Sequence, residues 1–301
     1  MNAIFSPGKL MLTSEYFAID GALVLAVPTK LGQEFFFEER NDEKSLIFWE
    51  AYHQNTLWLT AVIDYKEWQI LETNIPSSAE FIVRTLKNVQ QLSHSKFKNN
   101  FSYHLRTNLQ FPADYGFGSS STLMNNLSEW ADIDPFHLNT ISLGGSGYDI
   151  AVAKEKSAVL FRNKPEIKYE KIDFNPSFKN ELIFIHLNQK QDSREGINFY
   201  KSKKKSPELI AEFSDITKKI LLCNELESFS ELILIHERKI ADFLDISTVK
   251  EKVFPDCPSF VKSLGAWGGD FVMSAKFGGY KDYFLEKGFA TIFEWKNIID
   301  L

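Results

Sequence analysis

The sequence predicts a fold of mixed strands and helices in about two domains, on three observations. The chain has 301 residues, a length that suggests roughly two domains. Short apolar or alternating runs, separated by Gly, Asn and Asp, dominate the first hundred residues and are typical of β-strands. Apolar residues at helical spacing first appear at 79–92 and recur in the second half. The predicted early strands are 10–12, 22–27, 34–38, 46–50 and 57–63.

A glycine- and serine-rich segment in the middle of the chain follows a predicted strand at 101–105 and precedes a predicted helix. We call residues 112–122, Pro-Ala-Asp-Tyr-Gly-Phe-Gly-Ser-Ser-Ser-Thr, the glycine-serine loop. Gly116 and Gly118 permit positive φ and close approach of a ligand. Free N–H groups and the helix dipole attract anions at such a helix start. The loop alone is as typical of an ordinary serine-capped helix, and it lacks the lysine of a Walker A motif.

The second half alternates predicted helices and strands around two further glycine clusters. The cluster at 143–149 opens a helix through 153, and the third glycine turn comprises residues 262–270. Residues 162–180 combine Pro with mixed charge and predict a passage between domains, so we divide the chain into 1–165 and 166–301. The other predicted elements are strands 157–161, 182–187, 271–275 and 291–293 and helices 193–201, 207–223, 226–244 and 280–287.

Charge, cysteine content and hydropathy argue against several classes of protein. A net charge of -6 argues against a nucleic-acid surface. Cys223 and Cys257 lack metal-ligand spacing and indicate buried or incidental thiols in a reducing cytosol, in preference to a disulfide. The apolar run at 22–27 ends at Pro28 and is too short to span a bilayer. We therefore expect a cytoplasmic protein that binds neither nucleic acid nor a membrane.

Four segments, in order along the chain, resemble the motifs of the GHMP kinases, the superfamily of galactokinase, homoserine kinase, mevalonate kinase and phosphomevalonate kinase. Residues 6–16, Ser-Pro-Gly-Lys-Leu-Met-Leu-Thr-Ser-Glu-Tyr, are similar to A-P-G-K-x-x-L-x-G-E. Residues 116–121 are similar to G-L-G-S-S-A, residues 146–149 to S-G-x-D, and residues 264–270 to T-G-A-G-G-G-G. The resemblance implies the two-domain GHMP kinase fold, an α+β fold with an N-terminal α/β domain built on a mixed sheet and a C-terminal ferredoxin-like domain.

The resemblance also implies residue roles, with ATP and Mg²⁺ as cofactors. Asp149 would accept or orient the proton of the acceptor hydroxyl, and Lys9 would lower the pKa of that hydroxyl and hold Asp149 ionised. From its own segment alone, Lys9 is more often an exposed lysine at a strand edge. Ser120 would bind Mg²⁺. The expected nucleotide-binding residues are Gly116, Gly118, Ser119, Ser120 and Ser121. The expected partners are ATP and a small-molecule acceptor, and a homodimer is left open.

The sequence departs from the family pattern at several positions. Ser14 replaces a glycine before the motif glutamate, and Trp267 replaces a glycine in the third turn. Asp114 brings a carboxylate close to the expected triphosphate, where it is either repulsive or a metal contact. Residues 135–138 lack the second magnesium-binding acid of mevalonate kinases, for which Asp114 or Glu15 could substitute.

The acceptor expected from the resemblance is phosphomevalonate, with mevalonate as the close alternative. Residues 145–153, Gly-Ser-Gly-Tyr-Asp-Ile-Ala-Val-Ala, are similar to the G-S-G-F-D-V-A-A-A of phosphomevalonate kinases. Lys190 and Arg194 flank a predicted helix start and either bind a second phosphate or form a solvated turn, as we expect of 203–205. The expected substrate residues are Glu15, Lys190, Arg194, Gly265 and Gly268. A non-catalytic binding protein of the same fold is the alternative, but retention of both Lys9 and Asp149 favours an enzyme.

Overall fold

The structure, a computed structural model, describes residues 1–189, 193–265 and 270–301, with only the backbone of 193–195. It contains two compact units, each made of several chain segments. The first unit comprises residues 1–8, 31–112 and 118–156, and the second comprises 9–30, 113–117 and 157–301. The domain boundary at residue 165 stays a prediction.

The larger sheet is mixed, as expected, and eight strands form it in the described residues. The strands are β1 Asn2–Met11, β2 Val24–Arg40, β3 Leu46–His53, β4 Thr56–Asp64, β5 Gln69–Thr73, β6 Ser102–Leu109, β7 Val159–Arg162 and β8 Lys168–Lys171. Their order in the sheet is β5-β4-β3-β6-β2-β7-β8, and β1 pairs with β2. Strands β3 and β6 run parallel, whereas β3 and β4 are antiparallel.

Four helices of the first unit begin at recognisable signals. The helices are α1 Pro76–Leu92, α2 Ser119–Ala131, α3 Pro135–Ser142 and α4 Tyr148–Glu155. A proline is the first residue of α1 and of α3, a position at which the N–H that proline lacks would have no helical partner. Asp134 caps α3 by accepting a hydrogen bond from the backbone N–H of His137 at 2.7 Å. Left-handed glycines precede α2 and α4.

The second unit contains an antiparallel sheet of four strands in the described residues, β9 Leu182–His186, β10 Val261–Leu264, β11 Phe271–Ala275 and β12 Ile292–Glu294. Their order in the sheet is β10-β11-β9-β12. Its helices are α5 Ser193–Ser202, α6 Pro207–Leu221, α7 Leu226–Leu244, α8 Val249–Val253, α9 Tyr280–Glu286 and α10 Trp295–Ile298. Every residue of β9, β10 and β11 is buried, so this sheet forms the core of the unit.

The length of β2 and the presence of β8 differ from the sequence prediction. The predicted strands at 22–27 and 34–38 are parts of one strand, β2, although Pro28 and Gly32 suggested a break. Gln110 explains the continuity, because its backbone N–H donates to the carbonyl of Gly32 and its side chain accepts from the N–H of Gly32. Strand β8 lies within the segment predicted as an irregular passage.

Both cysteines are free thiols, as expected. Within the ranges that the structure describes, no helix has the length and the apolar character needed to cross a bilayer.

Candidate active site

The first unit presents a helix start with a glycine at its N-cap, at the end of the glycine-serine loop. Gly118 has a φ of 83°, and α2 begins at the next residue without a side-chain cap. The side chains of Ser119 and Ser120 are exposed there, while Ser121 is buried. The first N–H groups of a helix have no intrahelical acceptor, so this helix start is suited to a phosphate.

A second helix start lies beside the first, because Ser121 reaches Asp149. Helix α4 follows Gly147, whose φ is 92°, and Asp149 lies in its first turn. The Ser121 hydroxyl donates a short hydrogen bond to Asp149 Oδ2, and the N–H of Ile150 donates to Asp149 Oδ1 at 3.0 Å. Both carboxylate oxygens are thus held, which fixes the orientation of the expected proton acceptor. The sequence assigned Ser121 to the nucleotide and did not foresee this contact.

A buried network of hydrogen bonds between polar groups connects α2 with α4. Asn125 donates to the Ser6 hydroxyl at 2.9 Å and to the carbonyl of Ala153, on α4, at 3.3 Å. The Ser6 hydroxyl donates to Asn126 Oδ1 at 2.7 Å, and the Asn126 amide donates to the carbonyl of Gln33 at 3.0 Å. A satisfied buried network of this kind fixes one arrangement. The adjacent asparagines in a helix were the only sequence signal for it.

In the second unit, Lys9 contacts the first glycine of the glycine-serine loop. Its ammonium group donates to the carbonyl of Gly116 at 2.8 Å, and its backbone N–H donates to the carbonyl of Phe117 at 3.0 Å. The ring of Phe117 stacks on that of Phe271 at 5.2 Å, and the ring of Tyr115 meets the same ring edge-on at 5.1 Å. Two aromatic anchors therefore hold Gly116 between them.

Asp270 is a neighbour of this loop that sequence reasoning did not select. It is 9% exposed and has a φ of 52°, which is unusual for a residue other than glycine. Its N–H donates to the carbonyl of Gln189 at 3.0 Å, and its carbonyl accepts from Leu187 at 2.8 Å. A Cβ atom placed on Gly116 would overlap the Asp270 carboxylate. The available signal was that Asp270 stands where the motif T-G-A-G-G-G-G ends in glycine.

Glu15, expected to contact substrate, is a member of a buried ionic cluster. Its carboxylate is 2.6 Å from the Lys262 ammonium, and both side chains are at most 1% exposed. Lys262 also lies 3.4 Å from Glu237 Oε2. Burial raises the pKa of Glu15 to about 7 despite Lys262, and it raises the pKa of Glu237 too. Contact of Glu15 with a substrate stays a prediction.

His236 completes this cluster. Burial, and then the charge of Lys262, hold the pKa of His236 well below its ordinary value. Its Nε2 atom accepts a hydrogen bond from the backbone N–H of Ser14 at 2.7 Å, as a neutral ring requires.

The structure describes only some of the remaining residues that were expected in the site. Lys190 and Gly268 lie outside the described residues, and Arg194 belongs to α5 but its side chain is not described. Gly265 follows β10 with a φ of 78°. Lys205 differs from the expected solvated turn, because its side chain is 16% exposed and lies 3.5 Å from Asp20.

The polar side chains at the start of α2 are suited to a metal ion that binds together with a nucleotide. Among the residues that the structure describes, no group of three or more His, Cys, Asp or Glu side chains could hold a metal ion. Mg²⁺ is commonly bound by one or two carboxylates together with substrate phosphates. Ser120, whose side chain is exposed and whose neighbour Ser121 donates to Asp149, fits that mode.

The chain matches no protein-family model and no curated protein by sequence. Solved structures similar to it are a mevalonate kinase from Methanococcus jannaschii and a phosphomevalonate kinase from Streptococcus pneumoniae in complex with phosphomevalonate and AMPPNP. The first is 16% identical with a TM-score of 0.68 over 97% of this chain and 96% of that one. The second is 14% identical with a TM-score of 0.71 over 97% and 99%. A galactokinase from Lactococcus lactis complexed with galactose is 12% identical, with a TM-score of 0.67 over 99% and 93%. These likenesses show that the chain has the fold of the GHMP kinases.

Proposed function

We propose that this chain is an ATP-dependent kinase that phosphorylates a small molecule. The observation that carries the proposal is the hydrogen bond from Ser121 to Asp149. It joins an oriented carboxylate to the helix start that follows the glycine-serine loop. A proton acceptor beside an anion site is what transfer of a phosphoryl group to a hydroxyl requires.

In the proposed reaction, an acceptor oxygen forms a bond to the γ-phosphorus of ATP while the bond to the bridging oxygen breaks and ADP leaves. Asp149 takes the proton of the acceptor oxygen as the new bond forms, whether that oxygen belongs to a hydroxyl or to a singly protonated phosphate. The N–H groups at the start of α2, together with Gly116, Gly118, Ser119 and Ser120, bind the phosphates. Lys9 stabilises the negative charge that develops on the oxygens. Mg²⁺, when bound with Ser120 as a ligand, would neutralise charge on the β- and γ-phosphates.

The first test measures ATP consumption with mevalonate and with phosphomevalonate. Asp149→Asn keeps the size of the side chain but removes the proton acceptor. We expect turnover with a hydroxyl acceptor to fall on the order of a hundredfold, with little change in ATP affinity. Asp132→Asn, the same change at the exposed C-terminal end of α2, is the matched control. Near-normal turnover in Asp149→Asn would contradict the assigned role. Binding of ATP without turnover on any acceptor would favour the non-catalytic alternative.

We further propose phosphomevalonate as the acceptor, with mevalonate as the alternative. The support is the resemblance of residues 145–153 to phosphomevalonate kinases. A phosphate acceptor adds negative charge beside the triphosphate, and Lys190 and Arg194 are the proposed counter-charges. Arg194→Ala should raise the KM for the phosphorylated acceptor roughly tenfold. It should barely affect mevalonate, and Lys204→Ala is the matched control.

Equal effects of Arg194→Ala on both acceptors would remove Arg194 from the substrate site. A preference of the unmodified protein for mevalonate would refute the choice of acceptor while leaving the kinase proposal intact.

A further inference from the structure

We propose that Gly196 is a specificity-determining residue, because the absence of a side chain at this position sets where the first turn of α5 lies. That turn contains Arg194, the proposed counter-charge for the phosphate of the acceptor. The inference rests on the proposed function and deepens it, since it concerns the selection of a phosphorylated acceptor. Gly196 lies outside the four segments that resemble the family motifs.

Gly196 allows α5 to lie close to the ring of Tyr16, and both residues belong to the second unit. A Cβ atom placed on Gly196 would be 2.4 Å from the Tyr16 hydroxyl oxygen and 2.9 and 3.0 Å from two carbon atoms of its ring. Non-bonded carbon atoms prefer a separation of about 3.5–4.0 Å. Any other residue at this position would therefore force the ring and the helix apart.

The local requirements of the helix do not explain this glycine. The φ of Gly196 is not in the left-handed region, so the position does not need the conformational freedom of glycine. Within a helix, glycine is about 1 kcal/mol less favourable than alanine. The close contact with Tyr16 accounts for a glycine here in spite of that disadvantage.

Tyr16 is enclosed, so its ring has little room to move away from a side chain at 196. The residue is 9% exposed and belongs to a buried apolar cluster with Phe17 and Tyr200. The Tyr16 ring stacks on that of Tyr200 at 5.9 Å, and the ring of Phe17 meets Tyr200 edge-on at 5.2 Å. A substitution at Gly196 should therefore displace the helix more readily than the ring.

The later part of α5 is fixed by Tyr200, which follows Gly196 by four residues and lies on the same face of the helix. The Tyr200 hydroxyl donates to Asp20 Oδ2 at 2.9 Å. The Lys205 ammonium lies 4.3 Å from the centre of the Tyr200 ring and 3.5 Å from Asp20 Oδ2. Because this end is held, a side chain at 196 should displace the first turn of α5, and the backbone of Arg194 with it.

Displacement of Arg194 affects one kind of acceptor. Arginine binds a phosphate through hydrogen bonds of defined geometry, and such contacts tolerate shifts of only about 0.5 Å. Phosphomevalonate presents a phosphate to this contact, whereas mevalonate has none. The contact between Gly196 and Tyr16 should therefore raise the affinity for the phosphorylated acceptor selectively.

Calorimetric titration with phosphomevalonate and with mevalonate tests the inference without requiring turnover. Gly196→Ala should weaken binding of phosphomevalonate roughly tenfold, as for loss of one charge-assisted contact, and leave the affinities for mevalonate and ATP nearly unchanged. Gly278→Ala is the matched control in the same unit and should bind both acceptors normally. A Cβ atom on Gly278 would lie more than 4 Å from every described heavy atom beyond its chain neighbours.

A second substitution should relieve the clash. Tyr16→Phe removes the hydroxyl oxygen, the atom that a Cβ atom at 196 would approach most closely. The double variant Tyr16→Phe/Gly196→Ala should therefore bind phosphomevalonate about threefold more tightly, or better, than Gly196→Ala alone. Tyr16→Phe by itself measures the separate effect of the lost hydroxyl.

Unchanged binding of phosphomevalonate by folded Gly196→Ala would overturn the inference. Equal weakening for both acceptors, or a double variant no better than Gly196→Ala, would overturn it too. A further measurement needs no variant: phosphomevalonate should shift the backbone amide NMR signals of Arg194 and Gly196 in the unmodified protein, and mevalonate should not. The absence of a shift with phosphomevalonate would contradict the inference even if Gly196→Ala does not fold.

The outcomes also separate this inference from the proposed function. A protein that binds phosphomevalonate as expected but consumes no ATP with any acceptor would refute the kinase proposal and leave the role of Gly196 intact. Failure of the unmodified protein to bind phosphomevalonate would refute the choice of acceptor and this inference together. The kinase proposal would then depend on ATP consumption with mevalonate.

Discussion

Replacing Glu15 with Gln should remove a pH-dependent loss of stability that the buried ionic cluster imposes. Two carboxylates, Glu15 and Glu237, share the single ammonium of Lys262, and all three side chains are at most 3% exposed. His236, the remaining titratable member, stays neutral. The cluster therefore carries one carboxylate in excess, and burial makes that carboxylate retain a proton at a pH where water would remove it.

The magnitude follows from the pKa of Glu15. In the folded protein the pKa is raised from 4.5 to about 7. A group whose pKa is raised on folding contributes stability that is fully present below the unfolded value and is lost as pH rises through the folded value. At about 1.4 kcal/mol per pH unit, the loss between pH 4.5 and 7 amounts to about 3 kcal/mol. A glutamine side chain at this position cannot titrate and leaves Lys262 to Glu237 alone, so the variant should escape this loss.

Urea unfolding at several pH values between 4.5 and 8 would measure the effect. The stability of the unmodified protein relative to Glu15→Gln should fall by about 3 kcal/mol over this range, with little further change above pH 7. Glu231→Gln makes the same chemical change on the exposed side of α7 and should show no such trend. A difference between Glu15→Gln and the unmodified protein that is constant from pH 4.5 to 8 would refute the reasoning.

Three further substitutions test the first unit. Ser121→Ala should lower turnover roughly tenfold or more without weakening ATP binding, because one hydrogen bond to the Asp149 carboxylate is lost; unchanged turnover would separate Ser121 from catalysis. Gly118→Val should weaken ATP binding measured by calorimetry, because a β-branched residue is strained at a φ of 83°; unchanged affinity would remove the loop from the nucleotide site. Asn126→Ala should lower the free energy of unfolding by about 1–3 kcal/mol, because Ser6 and the carbonyl of Gln33 lose buried partners; unfolding like that of the unmodified protein would show the network to be dispensable.

Elements with a strong local pattern were predictable from sequence. Helix α7 has the predicted bounds, 226–244, because one apolar stripe runs along its whole length. Strand β11 likewise matches its predicted bounds, because its five residues are apolar or small. The glycine clusters before α2 and α4 also marked the starts of these two helices.

Strand β10 was missed for a reason that is not local. Its sequence, Val-Lys-Ser-Leu, is half polar and reads as part of a turn, yet all four residues are buried. The charge of Lys262 is tolerated there because Glu15, 247 positions earlier in the chain, supplies a carboxylate at 2.6 Å. No pattern within one window of sequence contains that partner. The same holds for Asp270, whose neighbour Gly116 belongs to a different glycine cluster.

Ser14 shows how a departure from a motif can preserve the geometry that the motif encodes. The resembling family motif has a glycine at this position, and Ser14 keeps a left-handed φ of 64°. A side chain in that conformation is disfavoured, and two hydrogen bonds within the second unit compensate for it. His236 accepts the N–H of Ser14 at 2.7 Å, and the Ser14 hydroxyl donates to the carbonyl of Leu23 at 2.7 Å. These hydrogen bonds stabilise the turn before Glu15 in a conformation that a glycine would adopt without them. The serine at this position is therefore no evidence against a working first motif.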